Sequence, residues 1–130
     1  MNVSNLLCAT EGLLALRKLG IDPTRACAVI NKSSGRSLMS EVRVPQDVLS
    51  GWFNYGFKHG LMQKDVKIAN DLLDANFPEA TVMRNTQKLI EDSMKLDDVH
   101  FDSDYTEVVK ILEARAGTEL RSSGTWEWKR

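Results

Sequence analysis

The chain is poor in the residues most catalytic chemistries need. Its 130 residues hold two cysteines, Cys8 and Cys27, two histidines, His59 and His100, and three prolines. Neither histidine has a Cys or another His at ligand spacing, so a metal site has no support. The two cysteines stand in apolar, helical surroundings and read as buried free thiols rather than a disulfide. An excess of one charge is also missing: 17 Lys and Arg face 18 Asp and Glu, for a net charge of -1. That balance gives no electrostatic footprint for nucleic acid or an anionic membrane. No apolar run approaches the ~20 residues of a membrane span, and no charged-then-apolar signal peptide opens the chain. A soluble, intracellular and cytoplasmic protein is expected. There is no Gly-rich phosphate loop, no His/Asp/Ser set and no carboxylate pair at catalytic spacing.

What is present is one domain of helices. A hydrophobic content of 42% with 27% charged residues is ordinary for a soluble globular chain of this length. Apart from a weak pattern around Val42 to Val44, nothing alternates with strand period, and an all-α fold of five or six helices is expected. Residues 2–19 form a helix, apolar on most of its circumference, that Gly20 stops. Asp22-Pro23 restarts the chain as N-cap and first helical residue of a helix over 23–32, with Ala26, Cys27, Val29 and Ile30 on its inner side. Leu38 to Val42 suits a short helix ended by Pro45, and the aromatic run Trp52-Phe53-Asn54-Tyr55 reads as a loop pinned to the core or, less often in such runs, as a ligand surface.

Residues 61–74 projected at 100° per residue give a broad apolar arc. Leu61, Ile68 and Leu72 form one side; Met62, Val66, Ala69 and Leu73 form the other. Asp65 falls between them, a place where a carboxylate is costly unless paired. Lys64 lies at the arc's edge, either as a snorkelling surface residue or as an anion anchor or proton-transfer group. Asp65 reads on its own as a structural salt bridge or cap. Gln63, Lys67, Asn70, Asp71 and Asp74 take the wet face. Pro78-Glu79 opens a further helix, with Val82, Met83, Thr86, Leu89, Ile90 and Met94 inward. Asp104 and Glu107 stand at capping-box spacing before a last helix that Gly117 ends. Residues 118–130, with Trp126 and Trp128, have no period and read as a tail, flexible or docked on a neighbour.

Several of these stretches carry a resemblance. Ser33-Ser34-Gly35-Arg36, Gly56-Phe57, Leu61-Met62-Gln63-Lys64-Asp65 and Asp104-Tyr105-Thr106 follow in the order and spacing of the C-terminal helical domain of β-hydroxyacid dehydrogenases. That family includes 3-hydroxyisobutyrate dehydrogenase, tartronate semialdehyde reductase and, distantly, 6-phosphogluconate dehydrogenase. The resemblance covers roughly residues 2–117, and the Gly-Phe…Leu-Met-x-Lys-Asp block is its most specific part. It implies a role beside an N-terminal Rossmann domain that binds NAD or NADP, in a homo-oligomer acting on a small hydroxy acid, with the active site between the domains. Lys64 would contact the nicotinamide end of the cofactor, Phe57 would line the same pocket, and Asp65 would be the buried support that aims Lys64.

Two departures qualify the match. Ser4-Asn5-Leu6-Leu7 resembles the family's Asn-Asn-Leu-Leu, which makes Asn5 the substrate-binding Asn. Aligning Glu11 and Gly20 without a gap moves Asn5 off that motif. The general acid/base Lys, expected before Asn2, has no counterpart, its place falling on Met1. Nor is there a Gly-x-Gly-x-x-Gly or a βαβ pattern, so the chain by itself is expected to be inactive. The competing expectation is a non-catalytic helical interaction or dimerisation module.

Overall fold

A computed structural model describes residues 1–122 and shows an all-α fold. Its elements are α1 (Asn2–Lys18), α2 (Pro23–Ile30), a π-helical segment (Met39–Leu49), α3 (His59–Asn76), α4 (Val82–Ser93), and a 3-10 segment (Tyr105–Val109) that runs into α5 (Lys110–Ala116). Among the described residues the strand pattern at 42–44 is absent, because Met39–Leu49 coils as a helix instead.

The centre of the molecule is α1. Val3, Leu6, Leu7, Thr10, Leu13 and Leu14 are buried at helical spacing, and α1 touches α2, α4, α5 and both the π-helical and the 3-10 segments. Leu6, Leu13, Val44, Val48, Ile90, Val108 and Val109 are fully buried around it. Each such side chain contributes about 1.5–3 kcal/mol through removal from water. Cys27 is buried as expected, whereas Cys8 is exposed, because α1 presents one stripe to the core and Cys8 falls outside it. Gly20, at φ +81°, turns the chain out of α1. Asp22 then accepts a hydrogen bond from the Arg25 amide as N-cap of α2. On α2, Ala26 and Cys27 face the core, but Val29 is exposed.

Pro45 does not end its helix. It sits inside the π-helical segment, where i→i−5 bonding would have its missing N–H meet the Ser40 carbonyl. That carbonyl is satisfied from outside, by Asn31 Nδ2 at 2.9 Å and Cys27 Sγ at 3.2 Å. A tertiary partner thus takes the acceptor the proline leaves behind.

The last helix begins with the expected capping box. Asp104 accepts from the Thr106 amide, and Glu107 accepts from the Asp104 amide at 3.1 Å. Its first turn is 3-10 rather than α. Residues 118–122 continue past Gly117 onto the core. Leu120 is fully buried, its amide donates to Glu113 at 2.7 Å, and Arg121 pairs with the same carboxylate at 2.7 Å. Trp126 and Trp128 lie outside the described residues.

Candidate functional site

The stretch 56–65 is held in place by the segment 101–105. Gly56, at φ +93°, opens an extended piece of chain whose amide donates to Asp104 Oδ2 at 2.7 Å. The Phe57 carbonyl accepts from the Tyr105 amide at 2.8 Å, and Lys58 bridges Asp104 in antiparallel fashion. The first amides of α3, which have no partner within the helix, are taken by carbonyls of the same segment. His59 donates to Ser103 at 2.7 Å and Gly60 to Phe101 at 2.9 Å. Phe57 and the start of α3 are therefore fixed by backbone bonds.

Beside this joint lies an open cleft of about 580 Å³, within the size range of small-molecule sites. One wall is aromatic. Tyr55 and Phe57 each meet Tyr105 edge-on, at centroid distances of 5.4 and 6.0 Å. Arg43 lies over the Tyr55 ring at 4.2 Å. The facing wall is the Met62, Asp65, Val66, Ala69 face of α3, whose i, i+3, i+4, i+7 spacing puts all four on one line. Met1, Asn2 and Val3, at the start of α1, close the end. Burial pushes the Tyr105 hydroxyl up to about 12, so it stays a neutral phenol in the aromatic wall.

The structure separates the expected site residues. Phe57, half-buried, and Asp65 both line the cleft. Lys64 is one position away, with a side chain 62% exposed, and pairs with Asp65 at 3.2 Å. Asp65 is not buried: its side chain is 59% exposed. The apolar arc does not pack as a whole. Its Met62 and Val66 side enters the core, while Leu61, Ile68 and Leu72 are exposed. Asp65 stands on the seam between the halves, which removes the cost of a buried carboxylate. Asn70, expected on the wet face, is buried and donates to the Met83 carbonyl at 3.2 Å and to Gln87 at 2.6 Å. Val82, expected inward on α4, is exposed. Asn5 is exposed on α1 and is not among the cleft residues; Asn2 and Met1 are. Met1, where the matched pattern has its acid/base Lys, is thus at the cleft.

Arg43 is a cleft residue that the sequence did not single out, while Tyr55, from the aromatic run read chiefly as pinned to the core, is exposed and lines the cleft. The signal for Arg43 was its opposite charge to Asp47 at i+4 spacing, hidden by the expectation that Pro45 ends the helix. Arg43 Nη1 meets Asp47 Oδ2 at 3.3 Å. Burial holds the Asp47 carboxyl above its ordinary value, opposed by the Arg43 guanidinium and the Asn54 amide. Among the described residues no three His, Cys, Asp or Glu side chains come together as a metal-holding group, and no helix is long and apolar enough to cross a membrane.

Phe57, Tyr55 and Tyr105 place aromatic rings along the cleft, and Lys64, one position from the lining residue Asp65, is an exposed cation. A family model described as NAD-binding of NADP-dependent 3-hydroxyisobutyrate dehydrogenase matches residues 1–112. The chain is also 35% identical over 65 residues to 2-(hydroxymethyl)glutarate dehydrogenase of Eubacterium barkeri. That stretch is 50% of this chain but only 22% of the longer enzyme.

Proposed function

Since the chain belongs to the family of the NAD-binding domain of NADP-dependent 3-hydroxyisobutyrate dehydrogenase, we propose that it supplies one wall of the active-site cleft of an NAD(P)-dependent oxidoreductase acting on a small β-hydroxy acid. The other wall would be a Rossmann domain, outside this chain, in a homo-oligomer. The observation that carries the reading is the convergence of Phe57, Asp65 and the start of α1 on a single cleft. The resemblance would make these positions a cofactor-pocket ring, its supporting carboxylate and, at Met1, the place of the missing acid/base Lys.

Phe57 and Tyr105 would hold the nicotinamide end by ring contact, and Lys64 would meet its carboxamide or phosphates from the mouth. The cofactor, when bound, supplies the hydride chemistry. Asp65 would aim Lys64 through their ion pair rather than from within the core. The aromatic wall and the Met62/Val66 face would keep water from the reacting carbon.

The reading is tested by joining the chain to a Rossmann domain of the family and substituting Lys64→Ala. The cofactor KM is expected to rise about tenfold, the equivalent of ~1.4 kcal/mol. Unchanged turnover and cofactor KM would remove Lys64 from the site. The exposed Leu61, Ile68 and Leu72 also suit a non-catalytic interaction module, which predicts that unchanged result.

A further inference from the structure

Resting on the cleft reading above, we propose that Arg43 binds the carboxylate of the acid substrate, with Asp47 as its positioning residue. Among the described residues Arg43 is the one Lys, Arg or His side chain lining the cleft. It is not a free surface cation: its side chain is 19% exposed, its Cζ lies over the Tyr55 ring at 4.2 Å, and Nη1 meets Asp47 at 3.3 Å. A guanidinium has five N–H donors in a rigid fork. Among the described residues Asp47 is its only hydrogen-bond partner, through Nη1 alone. The remaining N–H donors of the guanidinium have no hydrogen-bond partner among the described residues and are available to an incoming oxyanion.

Asp47 explains why this arginine is held. Its side chain is 5% exposed, a costly place for a carboxylate. Besides Arg43 it is met by the Asn54 amide at 3.4 Å, the start of the short stretch that ends in the cleft residues Tyr55 and Phe57. The buried carboxylate therefore ties guanidinium and aromatic wall into one unit. Such a preorganised fork matches a carboxylate bidentately, where a lysine would act only as a point charge.

A carboxylate and a cofactor phosphate are both oxyanions, and the test separates them. The full 130-residue chain is titrated with 3-hydroxyisobutyrate, with its neutral amide, with inorganic phosphate and with NADP, while the Arg43 Nε–H and the backbone amides are followed by NMR. The acid is expected to shift Arg43 saturably and the amide to leave it unmoved. Arg43→Lys keeps the charge opposite Asp47, so the fold is retained, and should weaken acid binding about tenfold. Asp47→Asn should broaden the Arg43 Nε–H signal in the free chain, a loss of fixed geometry that lowered stability alone would not confine to that group. An absent saturable shift with the acid overturns the proposal, as does a shift of Arg43 by phosphate or NADP alone. NADP shifts at Phe57 and Lys64 report on the cofactor pocket independently, so the two readings fail separately.

Discussion

Among single residues, His59 has the most consequential surroundings outside the cleft. It is fully buried, and its Nε2 lies 2.9 Å from Ser93 Oγ. That hydroxyl donates to the Ile90 carbonyl at 2.7 Å. Ser93 must then accept from His59, which assigns the proton to Nε2 and leaves Nδ1 bare; among the described residues Nδ1 has no partner. Burial lowers the imidazole below its ordinary 6.5, against the opposing pull of the Glu107 carboxylate. The native state therefore stays neutral where the unfolded chain already takes a proton. Since the unfolded state binds more protons in that window, stability rises with pH through it. The loss begins as pH falls past 6.5 and continues down to the lowered native value. Urea midpoints of the natural chain should drop between about pH 7.5 and about pH 5.5, and His59→Gln, which keeps a donor for Ser93, should flatten that difference. An equal pH slope in the variant would show that other groups set it. This histidine has no partner at ligand spacing along the chain, and its bonded serine lies 34 positions away, a contact no local pattern carries.

At the scale of elements, what could be read in advance was what depends on neighbours along the chain. The Asp22-Pro23 cap, the Asp104/Glu107 box and the Gly117 stop are all in place because each is completed within a few residues. Pro45 misled because its cost is met by Asn31 and Cys27, on another helix turn. Asp65 misled because an apolar arc on a helical wheel does not say how much of itself will be covered. The start of α3 shows a further tertiary demand. A Cβ on Gly60 would stand 2.0 Å from Phe101 Cδ2 and 2.5 Å from its Cγ, and Cγ cannot swing far from the backbone whose carbonyl Gly60 binds. Gly60→Ala should therefore destabilise the chain by about 1–3 kcal/mol, the range of overpacking. Phe101 is itself half exposed, so Phe101→Ala should cost less, and the double variant should recover most of the Gly60→Ala loss. Additive effects in chemical denaturation would show that the ring is not what excludes a side chain there.

Across the whole molecule, the segment after Gly117 closes the core that α1 organises. Arg17 of α1 donates to Thr118 Oγ1 at 3.0 Å, and Leu120 is fully buried. Arg121 lies over the Phe53 ring at 5.0 Å and holds Glu113, whose side chain is 5% exposed. Phe53 is the one non-glycine residue at positive φ among those described, at +45°, in the loop that leads to Tyr55 and the cleft. A segment with no sequence period thus supports both the buried carboxylate of α5 and the loop behind the aromatic wall. Ending the chain at Gly117 would leave Glu113 without Arg121 and without the Leu120 amide. Breaking a buried pair by removing one partner costs about 3–5 kcal/mol, because the remaining charge stays desolvated. That is a large part of the ~5–15 kcal/mol that keeps a domain folded. The shortened chain should show a strongly lowered urea midpoint, and Glu113→Gln in the same background should restore part of it by removing the charge. If Glu113→Gln lowered the midpoint further, the loss would belong to the Leu120 site and not to the stranded carboxylate.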